Sequence, residues 1–466
     1  MTESASATDR VRQVVADHDA VKVALLLLGT YVLFTILVWN QNPDARLNAI
    51  ANTLRLVTFF AAVYALLVLA LNLHWGYTGL FNIGVAGFMA VGAYTYAIAT
   101  RPVDPAISTQ PAGLGLPIPV GVVLGMAVAS VLGLLAALPA LRLRADYFAI
   151  VTLGLSEIVR LSLQSSALDG FLRETFGIGT GGGAGIRVDP GIDEPLRALF
   201  YAGGSRADGV TPLGEAVFGI TDDLALLGVG GGIRQSVVIN WAYVLFLAVF
   251  VLAFYWVLSR IGKSPFGRVL KAIREDELVA NALGKNVNLV KIKVFMIGCA
   301  LMGLGGILWQ GSQGSFSPTP QFLPVITFYI FVAMMIGGSG SNTGSVLGAI
   351  VFAGLLFEAP RRFGAFVRQQ FSADANPATV IDAVGGLLSG NVDTFVVYIT
   401  ETRIAALQFV LLGVVLVLLM QRRPEGLLGH RIEEAAAVDL SVRPERTGGT
   451  GGSGGAAAAD GGETDE

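Results

Sequence analysis

Ten runs of apolar residues, each about as long as a bilayer is thick, leave this chain few folds to choose from. A hydrocarbon core needs roughly 17–25 apolar residues in a helix. Candidate runs lie at 22–39, 55–74, 79–99, 117–138, 147–163, 237–258, 293–311, 323–338, 344–360 and 403–421. Lipid offers no hydrogen-bond partner, so each backbone N–H and C=O in such a run must be satisfied within the protein, and helices do this. The composition agrees. Of 466 residues, 53% are hydrophobic and only 14% charged, too little charge to cover the surface of a soluble protein of this size and too much apolar matter for a disordered one. The expected fold class is an all-α polytopic integral membrane protein with about ten transmembrane helices. The third and eighth runs are interrupted or flanked by glycine, and each is expected either as a broken or re-entrant helix or as a simple span.

Basic residues orient the spans, because loops on the cytoplasmic side carry the excess of Lys and Arg. The densest basic loop, 259–293, carries Arg260, Lys263, Arg268, Lys271, Arg274, Lys285, Lys291 and Lys293. The turn with Arg142 and Arg144 and the stretch with Arg422, Arg423 and Arg431 fall on its side if ten runs cross, which puts both termini inside. Arg361, Arg362 and Arg368 fit poorly, since the same scheme places them outside. The expected organisation is a cytoplasmic N-terminal segment 1–21 and a transmembrane domain 22–430. The latter has extracytoplasmic segments 164–236 and 361–402, within which short surface helices are expected near 194–200 and 213–218. A disordered Ala/Gly/Thr-rich acidic tail, 431–466, follows. The first twenty residues lack the basic start of a signal peptide, so the first run is expected to stay as an anchor.

Several classes of chemistry are excluded. The single cysteine, Cys299, rules out disulfide frameworks and cysteine-based metal sites, and His18, His74 and His430 are far apart in sequence. Net charge is −3, so there is no basic footprint for nucleic acid. Gly262-Lys263-Ser264 lacks the leading glycine of a phosphate loop. The G-x-G-x-x-G at Gly177, Gly179 and Gly182 has no strand before it. No catalytic triad or paired carboxylates stand out, so no enzyme site is expected. The ionisable candidates at membrane depth are Glu157 with Arg160 and, near the end of its run, Glu358. For the first pair, mutual pairing near the interface is the plainer reading and a transport role the other.

The stretch after Ser264 is the most informative. Helix formers without internal Gly or Pro predict one helix over 268–283, ended by Gly284. Leu278/Ala282 and Val279/Leu283 make a narrow apolar ridge, and Ala280, Ala282 and Gly284 a small-residue patch. Such a helix could seat in a groove on a soluble partner or lie on anionic lipid. This segment resembles the coupling loop of ABC importer permeases, specifically branched-chain amino acid permeases of the LivM type. Further stretches agree in order: Leu71–Gly84 with Gly87-Phe88 and Gly92-Ala93-Tyr94, then Arg142–Gly154, Gly303–Gly306, Ser317-Pro318, Gly337–Gly344 and Arg423–Gly429. The match covers roughly 55–430. It departs at insertion-like stretches near 191–235 and 372–402, and at Glu277-Leu278-Val279-Ala280, where the broader coupling motif has Glu-Ala-Ala.

The resemblance implies a conduit without a bound cofactor, working with a second related permease, two cytoplasmic ATPases that hold ATP and Mg, an extracytoplasmic substrate-binding protein and membrane lipid. It implies that Arg268, Arg274, Glu275, Glu277, Val279, Ala280, Ala282 and Gly284 couple to an ATPase. A zwitterion with an aliphatic side chain needs apolar walls beside the donors and acceptors of broken helices. On that ground Gly76, Tyr77, Gly79, Asn82, Gly84, Thr152, Gly338, Ser341 and Asn342, with Glu157, are expected along the substrate path. Close helix packing is the alternative for each glycine. Urea or amides as cargo, a gradient-driven secondary transporter and a membrane enzyme are the competing readings, the last being disfavoured by the lack of paired catalytic groups.

Overall fold

The computed structural model describes residues 19–103, 111–140, 145–223, 232–370, 377, 379–399 and 403–428. The expected N-terminal segment up to residue 18, the turn with Arg142 and Arg144, and the tail 431–466 lie outside the described residues. The helices are α1 (Asp19–Val38), α2 (Arg46–Thr78), α3 (Val85–Thr100), α4 (Ile118–Ala140), α5 (Ala145–Gln164), α6 (Ser166–Phe176), α7 (Pro212–Asp223) and α8 (Gln235–Lys263). There follow α9 (Pro265–Glu275), α10 (Glu277–Ala282), α11 (Val287–Gln310), α12 (Pro324–Gly337), α13 (Asn342–Ile350), α14 (Ala359–Gln370), α15 (Val380–Leu388), α16 (Val392–Val397) and α17 (Ile404–Arg422). A π-helical stretch, Val351–Glu358, joins α13 to α14.

Seven stretches are long and apolar enough to cross a bilayer: α1, α2 with the turn before it, α4, α8, α11, Pro318–Gly337 and Asn342–Val367. The bent pair α5 and α6, at 64°, makes an eighth, and α3 and Gln408–Arg422 are shorter apolar helices. The chain is a polytopic all-α membrane protein. Its centre is α2, which is apolar on every side because it is surrounded: α1, α8, α11, α12 and α13 all pack on it. A second group, α3, α4 and α11, packs through small residues. A Cβ on Gly92 of α3 would lie 2.5 Å from Gly303 Cα of α11, and one on Gly125 of α4 would lie 2.8 Å from the Gly92 carbonyl oxygen.

On the segment 164–236, Ile186–Arg187 (β1) pairs antiparallel with Ser315–Phe316 (β2), Ile186 opposite Phe316. This ties the segment to the end of α11. Of the surface helices expected here, one forms at Glu194–Arg197 and the other runs longer, as α7.

Of the two alternatives for the third run the structure takes the broken one, with residues 79–84 non-helical and α3 starting at Val85. It corrects the sequence reading in two places. The predicted helix over 268–283 is two helices, split at Asp276. Asp276 has φ −154° and its carboxylate accepts from the Leu278 and Val279 N–H groups at 2.9 and 3.0 Å, so it caps α10 instead of continuing α9. Helix propensity alone misses this, since an Asp that caps a new helix scores only as a mediocre helix former. Finally, Arg361 and Arg362, expected in a loop, lie on α14. Arg361 sits over the Phe357 ring at 4.6 Å, and Arg362 faces the buried Glu358 at 3.9 Å. Local partners hold these cations.

Candidate coupling and translocation site

The site begins where α2 ends. Gly79 adopts φ +70°, in the left-handed region that glycine tolerates and a side chain resists, and its N–H donates to the Trp75 carbonyl at 3.1 Å. Leu80 N–H takes the His74 carbonyl at 3.0 Å. The Gly76 carbonyl is one of the last-turn acceptors that a helix leaves without an intrahelical partner. It is taken by Arg274 of α9, whose Nη1 donates to it at 2.6 Å. A cation at a helix C-terminus is favoured both by the carbonyls and by the helix dipole. The basic loop is thereby bonded directly to the last turn of the central helix.

Non-helical backbone at membrane depth persists only where protein satisfies it. In the 79–84 segment, Asn82 N–H donates to Leu80 O and Gly84 N–H to Asn82 Oδ1 at 2.8 Å. Ile83 N–H donates to Thr152 Oγ1 of α5 at 3.0 Å. Just beyond, Ala86 N–H donates to Thr327 Oγ1 of α12 at 3.0 Å. Asn82 Nδ2 donates to His74 Nδ1 at 3.2 Å, and His74 Nε2 reaches the Phe295 carbonyl at 3.2 Å, which requires the ring proton on Nε2. The ring stacks on Phe295 at 4.8 Å.

A second break lies between α12 and α13, with Gly338 at φ +103° and Gly340 at φ +85°. Ser341 caps α13 by accepting from Gly344 N–H at 3.0 Å. Asn72 bonds the second break to α2, the helix that ends at the first. Its Oδ1 accepts from Gly340 N–H at 2.8 Å, its Nδ2 donates to Asn342 Oδ1 at 3.1 Å, and Asn342 Nδ2 donates to Ser259 Oγ of α8 at 3.1 Å. Gly76 permits the approach, because a Cβ there would lie 2.5 Å from Gly340 N. Tyr77 lies against Gly262 of α8, where a Cβ would meet its hydroxyl at 2.7 Å. The closing stretch reaches the same place: Leu427 N–H donates to Ile336 O at 2.8 Å and Leu428 N–H to Gly337 O at 3.2 Å. Replacing Asn72 with Leu orphans several buried polar groups and is expected to destabilise the fold by about 2–4 kcal/mol, read as a lower melting temperature in detergent.

The loop 259–293 is a capped hairpin outside the membrane stack. Ser264 caps α9, accepting from Gly267 N–H at 3.2 Å, and Asn286 caps α11, accepting from Leu289 N–H at 3.1 Å. Lys291 donates to Glu277 Oε2 at 2.5 Å. Ile273, Ala280 and Val287 form a small core inside it. Ala280 therefore faces inward, while Arg268, Glu275, Glu277, Val279, Ala282 and Gly284 are exposed. Leu278 and Leu283 are 80% and 73% exposed, unusual for leucines outside lipid.

Of the residues singled out from sequence, Gly76, Tyr77, Gly79, Asn82, Gly84, Thr152, Gly338, Ser341 and Asn342 come together with Arg274 in this one region. Glu157 does not join them; it lies further along α5, paired with Arg160. Sequence reasoning passed over Asn72, His74, Thr327 and Ser259. A lone asparagine within the apolar run 55–74 was the available signal, since polar groups at membrane depth are rare without a partner. An open polar cleft of about 1080 Å³ lies against the segment 164–236, lined among others by Arg187, Asp189, Arg197, Arg206 and Arg234. Near it, burial together with Asp189 and Asp193 raises the Glu194 carboxyl.

The family described as branched-chain amino acid transport system / permease component matches residues 53–359. The chain is 32% identical over 289 residues to the high-affinity branched-chain amino acid transport system permease protein LivM of Escherichia coli, covering 62% of this chain and 59% of that one. It is 25% identical over 320 residues to the probable branched-chain amino acid transport permease protein LivM of Methanocaldococcus jannaschii, covering 64% of this chain and 78% of that one. It is 32% identical over 108 residues to LivH of Escherichia coli, covering 23% of this chain and 33% of that one. The chain thus spans about three fifths of the length of the first curated relatives it matches. No solved structure matches it. The match over 53–359 takes in both helix breaks, the hairpin and the central helix, and the chain belongs to the family of branched-chain amino acid transport permease components.

Proposed function

We propose that this chain is the LivM-type permease subunit of an ATP-driven importer that moves leucine, isoleucine and valine across the plasma membrane. It binds no cofactor itself. It pairs with a second related permease, receives cargo from an extracytoplasmic substrate-binding protein, and is worked by two cytoplasmic ATPases that hold ATP and Mg. Relatives named LivM and LivH support a paired permease. The scheme has ten crossings with both termini inside; the hairpin, the α2 end and the residue 427–428 strap meet on one side, which fits its even number of crossings after α2. In this scheme 164–236 and 361–402 face outward.

The observation that carries the reading is the Arg274–Gly76 bond. A capped hairpin with leucines exposed at its tip is a handle, and Arg274 fastens it to the central helix at the point where the helix breaks. Force on the handle would reach both breaks through α2, which ends at 79–84 and whose Asn72 bonds the 338–341 break. Movement of packed elements past one another is how such a handle would switch a path between faces. The path residues proposed are Gly76, Tyr77, Gly79, Asn82, Gly84, Thr152, Gly338, Ser341 and Asn342, with Glu157 above them.

Two experiments test this. Placing aspartate at both Leu278 and Leu283 is expected to cut co-purification of the ATPase by about tenfold or more, since two buried apolar anchors are lost; undiminished recovery counts against the docking assignment. In competition uptake with the assembled transporter, isoleucine and valine are expected to inhibit leucine import while urea and acetamide do not. Inhibition by urea alone assigns the other cargo.

A further inference from the structure

A zwitterion leaves a transporter a specific problem: its carboxylate and ammonium must both be met without water, beside a surface that accepts an aliphatic chain. One stretch of α5 supplies those three features. Arg160 donates through Nε to Glu157 Oε2 at 2.9 Å, and a second bond joins its Nη2 to Oε1. Its Nη1 is held by Gln164 Oε1 at 3.0 Å and by Thr319 Oγ1 of the segment before α12. Arg160 is thus anchored from outside α5, and 8% exposed. Among the described residues Glu157 is anchored by Arg160 alone, and its side chain is 37% exposed.

That exposure is informative. A carboxylate facing hydrocarbon is costly, so intramembrane carboxylates turn toward a partner or a water-filled cavity. A water-filled cavity against the exposed face of α5 beside Glu157 would meet that requirement. The rest of that face is apolar: Ile150, Ile158 and Leu161 are 65%, 63% and 51% exposed. Gly154, one turn below Glu157, leaves a notch, because a Cβ there would meet nothing within 4 Å. On the adjoining face, Thr152, Ser156 and Arg160 follow at helical spacing, all buried, and the Ser156 hydroxyl has no hydrogen-bond partner among the described residues. A buried hydroxyl without a partner is uncommon and calls for an explanation.

We propose that Glu157 and Arg160 form the head-group subsite for the transported amino acid. The internal ion pair stands in for the zwitterion. On arrival the α-ammonium takes Glu157, the α-carboxylate takes the Arg160 guanidinium, and the aliphatic chain lies in the notch at Gly154 between Ile150, Ile158 and Leu161. No net charge is buried or released in the exchange, so the cargo moves from water to the cavity without the cost of an unpaired ion. This deepens the importer reading and rests on it.

The single native cysteine of this chain, Cys299, is buried, so with partner subunits stripped of reactive cysteines a thiol introduced on α5 can be labelled against a silent background. In the complete transporter in proteoliposomes, Gly154→Cys is expected to react with a methanethiosulfonate reagent. Leucine-loaded binding protein is expected to slow that reaction at least about fivefold. Adding Glu157→Gln is expected to abolish the protection and to raise the KM for receptor-delivered leucine by about tenfold, the worth of one charge-assisted contact, with Glu157→Asp restoring part of it. If Glu157→Gln fails to assemble, protection of Gly154→Cys in the otherwise unaltered chain decides alone. Unchanged labelling with leucine present, while uptake by the native transporter proceeds, overturns the subsite and leaves the importer reading standing. No leucine uptake by the native transporter overturns the importer reading itself.

Discussion

Replacing Arg274 with alanine is expected to leave the hairpin folded and the ATPase bound, yet to reduce leucine uptake by about tenfold to a hundredfold, the range that a coupling free energy of about 1–3 kcal/mol spans. The hairpin keeps its own supports. Ser264, Asp276 and Asn286 still cap their helices, Lys291 still holds Glu277, and Ala280 still packs between Ile273 and Val287. What disappears is the one charged donor on the Gly76 carbonyl. Nucleotide hydrolysis should continue without responding to loaded binding protein, which separates lost transmission from lost docking. Arg274→Lys is expected to recover part of the uptake, since an ammonium can still meet the helix end but cannot also fork to Glu275 as the guanidinium does, at 2.6 and 3.2 Å. Full uptake in Arg274→Ala would show that the handle acts through some other contact.

The second large effect concerns the helix crossing rather than the handle. Gly92→Leu is expected to destabilise the folded protein strongly, because the new side chain must displace backbone and not a flexible neighbour. Its Cβ alone would fall 2.5 Å from Gly303 Cα. Overpacking of this kind costs about 3 kcal/mol or more, against a total stability on the order of 5–15 kcal/mol. Gly413→Leu is the control. That position on α17 has open space where the Cβ would go, and it should fold as the native chain does. Monodisperse elution in detergent and the melting temperature read both. A Gly92→Leu chain that elutes and melts normally would mean that α3 and α11 do not cross where they are described.

The comparison between sequence and structure turns on which interactions are local. The run 55–74 reads as a buried span from residue type alone, and α2 is that span, extended at both ends. The glycine-rich stretch after it reads as a break, and 79–84 is one. Its hydrogen bonds to Thr152 and onward at Ala86 to Thr327 were not legible, because nothing near residue 83 points to residue 152 or 327. Asn72 is the plainest case. Within its own helix it looks like a blemish in an apolar run, and only the fold, which brings Gly340 and Asn342 beside it, gives it two partners. Asp276 misled for the opposite reason. Its effect is local, but eleven neighbouring helical residues on one side and six on the other outweigh a single cap in any propensity sum. Arg274 enters the sequence reading through the resemblance of its loop to a coupling loop. That it reaches Gly76 rather than lipid or solvent is a property of how α9 folds back against α2.

The central claim is that this chain has no engine of its own and is worked through the hairpin between α8 and α11. The direct measurement is leucine uptake into proteoliposomes holding both permeases, supplied with loaded binding protein, with and without the ATPase subunits and Mg-ATP. The account gives accumulation only when ATPase and nucleotide are both present, and its loss when Leu278 and Leu283 are aspartates. Accumulation in vesicles that lack the ATPase, driven by a sodium or proton gradient, would contradict it.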